Sequence, residues 1–515
     1  MMRIDRILFA GAIAVCSLLP GCVTVDFEHP RTPSHALDRS QESHLARQLA
    51  SLQSAHPGKS GFFLLDDGID ALSARLLLSA RAEQTIDAQY YFLLNDITSH
   101  VFLAGLLAAA DRGVRVRLLL DDIQTKGYDR GMHALASHPN FEIRIFNPFA
   151  RRKGRGIDFL IDFKRANRRM HNKSFTVDGV VTVVGGRNIG AEYFSARDDV
   201  NFTDLDIMGV GGVARDVGTA FDDFWNSDFA FPVAAIVEPP AASDAGLAAF
   251  RERAAAAVED FKRTRYAEAL RRTLLEQIHM NPSELEWADW LVVHDAPEKA
   301  RRDGSGKKDA LTEPLAAAIA DAHSELFLTS PYFVPLDRGV EVFRRLRDRG
   351  IDVVIWTNSL AATDVPAVHA GYAPYRKDLL EMGVQLYEAR PDTRVAGAER
   401  GGMGSSSASL HAKWFTIDRA RLFVGSFNWD PRSVHINTEM GILVESPDLA
   451  RQLVDATLAN FDRDSYRVYL SEKGRIRWTS EDAGRLVVFE REPGTSFRQR
   501  FTAGLLRLLP IRGQL

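Results

Sequence analysis

Cysteine is almost missing from this chain: its 515 residues contain only Cys16 and Cys22, both close to the N-terminus. A mature chain cut beyond that region cannot form an intrachain disulfide and has no thiolate for a zinc site, so its stability must come from burial. A basic excess is also missing. Sixty-four Lys and Arg face 68 Asp and Glu, a formal net charge of −4, which gives no whole-protein attraction to nucleic acid. The apolar run Ile7–Leu19 is too short for a comfortable membrane span. Behind Arg3 and Arg6 it has the length of a signal-peptide core. What is present is ordinary globular material, 45% hydrophobic and 26% charged, in a chain long enough to require two or more packed units.

Those units are copies of one another. Tyr91-Phe92 and Tyr332-Phe333 each follow an apolar run, 241 positions apart. Arg112-Gly113 and Arg349-Gly350 each introduce a strand-like run at an offset of 237, and His171 and His411 are offset by 240. A near-constant offset is the mark of a duplicated domain. Each copy alternates β-rich and helical patterns. The first has Ile86–Phe92, Val114–Leu120 and Ile143–Phe146 around helices near Val101–Ala110 and Met132–Ser137. The second has Leu326–Thr329, Val353–Trp356 and Val384–Tyr387 around Val340–Arg347 and Tyr375–Glu381. That alternation predicts an α/β fold with largely parallel strands. The closely spaced runs Phe175–Asp178 with Val180–Val184, and Trp414–Asp418 with Arg421–Val424, predict hairpins and hence mixed sheets. The expected organisation is a signal segment over 1–22, an N-terminal segment over 23–60, a first unit over 61–230, a helical connector over 231–315, a second unit over 316–465 and a tail over 466–515. The polar 303–308 and the Gly- and Ser-rich 395–409 read as loops, the latter as a flap just before His411.

Both copies carry H-x-K-x4-D: His171, Lys173 and Asp178 in the first, His411, Lys413 and Asp418 in the second. The following context repeats as Gly185-Gly186-Arg187-Asn188 and Gly425-Ser426-Phe427-Asn428, and an acid sits in each next strand, Asp206 and Glu439. Residues two apart on a strand share a face, so each His projects with its Lys. A turn brings Asn188 or Asn428 back alongside. Two such half-sites facing one another surround a phosphate with donors and stabilise charge on a five-coordinate phosphorus. Asp206 and Glu439 are the expected partners that orient the imidazoles. Asn188, Asn428 and Ser426 are expected on the phosphate, with Gly186 making the first half-site the poorer by one hydroxyl.

The paired motifs with their G-G-R-N and G-S-F-N companions resemble the phospholipase D superfamily. The resemblance implies two α/β/α half-domains about a pseudo-twofold axis, one His attacking phosphorus and the other protonating the leaving alcohol, and no metal or other cofactor. By analogy with the N-terminal motif of the family, His171 is the expected nucleophile and His411 the acid. Asn147-Pro148-Phe149, Asn167 to Phe175, Val184 to Gly190, Thr357 to Asp364 and Asn437 to Gly441 resemble the cardiolipin synthase C branch. That narrower resemblance implies transfer of a phosphatidyl group to phosphatidylglycerol from a donor such as phosphatidylethanolamine. Leu19-Pro20-Gly21-Cys22 resembles the lipobox of bacterial lipoproteins, with Pro20 departing from the small residue usual there. It implies lipidation at Cys22, membrane attachment facing the periplasm and, with Val23 next, sorting to the outer membrane.

Other readings stand beside these. The same motif serves hydrolysis to phosphatidic acid, nucleic-acid phosphodiesters, or, in a silent copy, lipid binding alone. Near-neutral charge weighs against nucleic acid, and intact His and Lys in both motifs weigh against a silent protein. Asp178 and Asp418 sit at strand ends, where either a catalytic or a local structural part fits. The basic stretch Arg151–Lys173 reads either as a headgroup or bilayer contact or as a solvated loop. Phe497–Leu509 reads as a basic amphipathic helix, lying in a membrane interface or docked on the core. Tyr90, Tyr91 and Phe92 read as core ahead of headgroup contacts.

Overall fold

The computed structural model describes residues 25–36, 42–152, 154–197, 200–236, 243–277, 284–301, 310–391, 407–482, 484–509 and 512–514. Cys22 with its signal segment, the 303–308 loop and most of the 395–409 stretch lie outside those residues.

In the first half, strands Thr85–Tyr90, Arg115–Asp121 and Phe141–Phe146 run parallel. Val116, Leu118, Leu119 and Leu120 are all buried, as a strand covered on both faces requires. Helix Ile97–Asp111 makes the first crossover, capped by Asp96, whose carboxylate accepts the Ser99 N–H. It stops at Gly113, whose φ of 97° is open to glycine at no steric cost. Gly350 does the same at φ 79° after helix Leu336–Asp348. The repeated Arg-Gly pair is therefore a repeated helix stop. Ser174–Val177, Val181–Gly185, Asp206–Val210 and Ser60–Leu65 continue the sheet antiparallel. The second half repeats this order. Gln385–Ala389, Asp352–Asn358 and Glu325–Thr329 are parallel, followed by Trp414–Ile417, Arg421–Gly425, Met440–Glu445 and Glu286–His294.

Two expectations about the organisation change. Glu286–His294 occupies the place that Ser60–Leu65 has in the first half, so the sheet of the second copy takes a strand from within the expected connector. The remaining connector helices, Ser243–Lys262 and Arg265–Gln277, pack back on the first half, against Ile97–Asp111 and Gly68–Arg81. The expected tail adds three antiparallel strands, Ser465–Leu470, Ile476–Asp482 and Arg485–Phe489, to the edge at Gln385–Ala389. Covering that edge removes a row of unpaired backbone groups. Neither signal is periodic enough to be read without the neighbouring strand.

The halves form one body. Glu286–His294 pairs with Ser60–Phe62 through its first residues and with Met440–Glu445 through the rest. Beneath it a shared core gathers Phe62, Val184 and Ile207 from one half with Val424, Ile442 and Val444 from the other, all fully buried. Six such side chains contribute on the order of 10 kcal/mol, enough to hold the halves in one register. Among the described residues no helix is long and apolar enough to cross a membrane.

Candidate active site

The site forms where each half lends a strand to the other. Val200–Thr203 pairs in parallel with Ser407–Leu410, ending with Leu410 opposite Thr203. Met170 bridges Thr438 in the same parallel sense. The residues that follow are an acid on one chain segment and a His on the other. His411 N–H donates to Thr203 O at 2.7 Å, and His171 N–H donates to Thr438 O at 2.9 Å. This register puts each imidazole beside the carboxylate of the opposite half. His171 Nδ1 lies 2.8 Å from Glu439 Oε2, and His411 Nδ1 lies 2.6 Å from Asp204 Oδ2. The dyads are crossed, so neither half holds a complete one.

Asp204 replaces the expected Asp206. The Asp206 carboxylate instead accepts from Arg75 Nη2 at 2.9 Å and from the Arg187 backbone N–H at 3.3 Å, a buried ion pair away from the imidazoles. Along a strand, residues two apart face alike, but Asp204 precedes the strand and its backbone has not yet joined the pleat. The sequence did hold the cue: Thr203-Asp204 matches Thr438-Glu439 as a threonine followed by an acid. Gly186 then has a reason. A Cβ there would stand 2.1 Å from Asp204 Oδ1, so the shorter acid occupies the space that Ser426 fills in the other half. Ser426 Oγ donates to Glu439 Oε2 at 2.5 Å and Ser433 Oγ to Glu439 Oε1 at 2.9 Å. The Ser426 hydroxyl is thus a support of the carboxylate and not the phosphate donor the sequence suggested.

Both lysines curl back to their own histidines. Lys173 Nζ donates to His171 O at 2.6 Å; Lys413 Nζ donates to His411 O and also lies 2.8 Å and 3.2 Å from the two ring nitrogens of His411. Asn188 spends its Nδ2–H on Tyr193 Oη at 3.2 Å, and the Oδ1 atoms of Asn188 and Asn428 are buried without a partner among the described residues. Turning either amide over presents an N–H instead, as an anion requires. Aromatic rings wall the imidazoles: Tyr91 meets His171 edge-on at 5.0 Å, and Tyr193 and Phe202 meet His411 at 5.1 and 5.0 Å. Tyr332 approaches His411 at 6.4 Å and gives its hydroxyl proton to Asp364 Oδ2 at 2.7 Å. Tyr91 therefore belongs to the site, while Tyr90 is core. Among the described residues no group of three or more His, Cys, Asp or Glu is placed to hold a metal ion.

Burial and crowded positive charge set the proton affinities. His171 is pushed well below the usual imidazole value by burial and then by Lys173, Lys413 and His411. His411 is pushed down by burial and Lys413, with Asp204 pulling the other way. Burial brings Lys173 down to about 7 and Lys413 down to about 8. The acids part company. Burial raises Glu439 to about 7 despite Lys173, whereas at Asp204 the burial penalty is outweighed by His411 and Lys413, which hold it below the usual carboxylate range. Asp204 pulls His411 back up against its burial, whereas His171 lies well below, so His411 is the imidazole better suited to carry a proton and His171 the one better suited to stay neutral.

Asp178 and Asp418 are not at this chemistry, which corrects their expected catalytic part. Each opens a hairpin turn with positive φ, 52° and 55°, a conformation Asp tolerates better than most residues. Asp178 accepts the N–H groups of Glu83, Gln84 and Thr85; Asp418 accepts those of His323, Ser324 and Glu325. Against its partial burial, these N–H groups draw the Asp418 carboxyl down to about 2. Each aspartate ties the catalytic hairpin to the strand beside it. Asp178→Ala is expected to cost about 2–4 kcal/mol in denaturant unfolding, since three backbone donors lose an ionised acceptor. The folded fraction keeps its turnover within about threefold, where a direct chemical part would cost orders of magnitude.

Two matching α/β halves that pool an imidazole and an ammonium each around one point define a protein of the phospholipase D type. The family model described as "Cardiolipin synthase, PLD-like domain" matches residues 75–225 and again 315–464, and the chain belongs to that family. It is 42% identical over 472 residues to cardiolipin synthase C of Escherichia coli (strain K12), covering 91% of this chain and 98% of that protein. It is 24% identical over 431 residues to a cardiolipin synthase of Geobacillus kaustophilus (strain HTA426), covering 82% and 71%. Among solved structures, phosphatidylserine synthase from Haemophilus influenzae Rd KW20 aligns with a TM-score of 0.54 at 12% identity, over 91% of this chain and all of that one, a likeness of fold.

Proposed function

We propose that this chain is a cardiolipin-forming phosphatidyltransferase, moving a phosphatidyl group from a phospholipid donor onto phosphatidylglycerol. The crossed His–acid dyads carry the reading, because they give one imidazole to attack and a different one to handle protons. Neutral His171, with Nδ1 engaged by Glu439, offers Nε2 to phosphorus. As the N–P bond forms, the P–O bond to the donor's headgroup alcohol breaks, and His411 gives that oxygen a proton. The acceptor hydroxyl of phosphatidylglycerol then returns a proton to His411 while its oxygen attacks phosphorus. The P–N bond breaks, freeing His171 and closing a new phosphodiester. Lys173 and Lys413 balance charge on the non-bridging oxygens, and splitting one substitution into two lowers each barrier. Aromatic walls around both imidazoles favour an alcohol over water.

The substrates are membrane phospholipids, with phosphatidylethanolamine or a similar phospholipid as donor. The chain is held in the bacterial envelope through lipid on Cys22, facing the periplasm; the Leu19–Cys22 sequence supports this. Mass spectrometry of the mature N-terminus tests it: a lipidated Cys22 is expected, and an intact leader contradicts it. Incubation of the purified chain with labelled phosphatidylglycerol and phosphatidylethanolamine, and separately with DNA, tests the activity. Cardiolipin is the expected product; phosphatidic acid alone, cut DNA or no product contradicts it.

The proton affinities predict a bell-shaped kcat/KM centred near neutrality. Below about 7 Glu439 takes up a proton and weakens its hold on His171. Above about 7 to 8 Lys173 and then Lys413 lose theirs, and phosphate binding weakens. A profile measured across both windows should fall on each side; a curve still climbing well above the Lys413 value contradicts the assignment.

A further inference from the structure

Two helices of this chain are built inside out. In Arg155–Ile161 the buried side chain is Asp158, which pairs with Arg151, while Leu160 is 85% exposed and Ile161 is also in solvent. In Phe497–Leu506 the buried residue is Ala503, while Phe497 and Phe501 stack outward and Leu508 just beyond is 79% exposed. The second helix is firmly formed, its capping box closed by Ser496 and Gln499. A helix that spends its small or charged residue on the core and turns its large apolar side chains to water is matched to a second apolar medium.

Both helices connect to the site through the residues that follow or flank them. Past Phe163, Asn167 donates to Gln514 Oε1 at 3.0 Å and receives Arg432 on both its side-chain and backbone oxygens at 2.7 Å. The Arg432 charge reaches His171 and Tyr91. The C-terminal helix packs on Pro366–Tyr372, which follows Asp364, the acceptor of the Tyr332 hydroxyl beside His411. Contacts thus lead from the stretch after the first helix toward His171 and from the second helix toward His411, and the Asn167–Gln514 hydrogen bond links the two stretches.

Charge selects the medium. From Phe497 to the end the chain carries Arg498, Arg500, Arg507 and Arg512 and no acidic residue. The basic stretch before His171 contributes less than its sequence suggests, because Arg151, Arg152, Arg155, Arg165 and Arg169 are spent on internal ion pairs. Apolar side chains rimmed by arginine suit the interface of an anionic bilayer.

We propose that these two helices form a docking face that seats the mouth of the active site on an anionic phospholipid surface. The inference rests on the phospholipid reading of the site and adds how a membrane-bound substrate is presented to it. The test uses the full chain and the double variant Leu160→Asp with Leu508→Asp, each assayed on phosphatidylglycerol vesicles and on dihexanoyl phosphatidylglycerol below its micelle concentration. The variant is expected to lose about tenfold or more on vesicles and to stay within about twofold on the short-chain lipid, since only interfacial seating is removed. Unchanged vesicle turnover, or equal loss on both substrates, overturns the docking face. So does light scattering that shows the unaltered chain paired through this surface and the variant monomeric. Absence of turnover on either lipid by the unaltered chain overturns the functional reading, and the docking face with it.

Discussion

His411→Asn is expected to lower turnover of a natural phospholipid donor by about 10²–10⁴-fold, the usual worth of a positioned general acid. It should nevertheless leave intact a single burst from a donor whose leaving group is a nitrophenol. Such a group departs as a stable anion and needs no proton, so the first step survives and one nitrophenolate per site appears. The second step, which needs His411 to take the acceptor's proton, then stalls. His171→Asn should abolish both burst and turnover, by about 10⁴-fold or more, because the bond to phosphorus has no other donor. The asymmetry of the acids underlies this split: Asp204, held ionised by His411 and Lys413 against its burial, supports an imidazolium, whereas burial brings Glu439 up to about 7. Stopped-flow release of nitrophenolate reads the difference. A burst surviving in His171→Asn and lost in His411→Asn inverts the two parts.

The second large effect separates neighbours in sequence. Asp204→Asn should lower kcat by about 10²–10⁴-fold in the protein that folds, as loss of the carboxylate behind a catalytic His does elsewhere. Asp206→Asn should lower stability without that loss of kcat. It breaks a buried pair with Arg75, which costs about 3–5 kcal/mol, while the protein that still folds turns over. Gly186→Ser belongs with Asp204, because its Cβ would stand 2.1 Å from the Asp204 carboxylate and displace it from His411. Thermal melts and kcat measured on the three variants settle the matter; a loss of kcat confined to Asp206→Asn contradicts the crossed dyad.

The duplication was legible because it repeats: parallel strands, helix stops at Gly113 and Gly350, and hairpins at Asp178 and Asp418 all recur at a near-constant offset. What the sequence hid depends on contacts across that offset. No local period says that Thr203 will pair with Leu410, so a place in the next strand pointed to Asp206 while the inter-half register selects Asp204. Ser426 looked like a phosphate ligand by its place near the motif, but its hydroxyl is taken by Glu439. Asp178 and Asp418 carry the motif's last letter for a backbone reason that spacing alone cannot tell from a chemical one. Tyr91 read as core because an apolar run leads to it, and only the approach of His171 places it in the site.

The most direct test is to quench the enzyme during turnover under alkaline conditions, which spare a phosphoramidate, and to map the adduct by peptide mass spectrometry. One phosphatidyl group per chain should be found on the peptide containing His171, and it should accumulate in His411→Asn. An adduct on the peptide containing His411, or none on either during active turnover, contradicts the account.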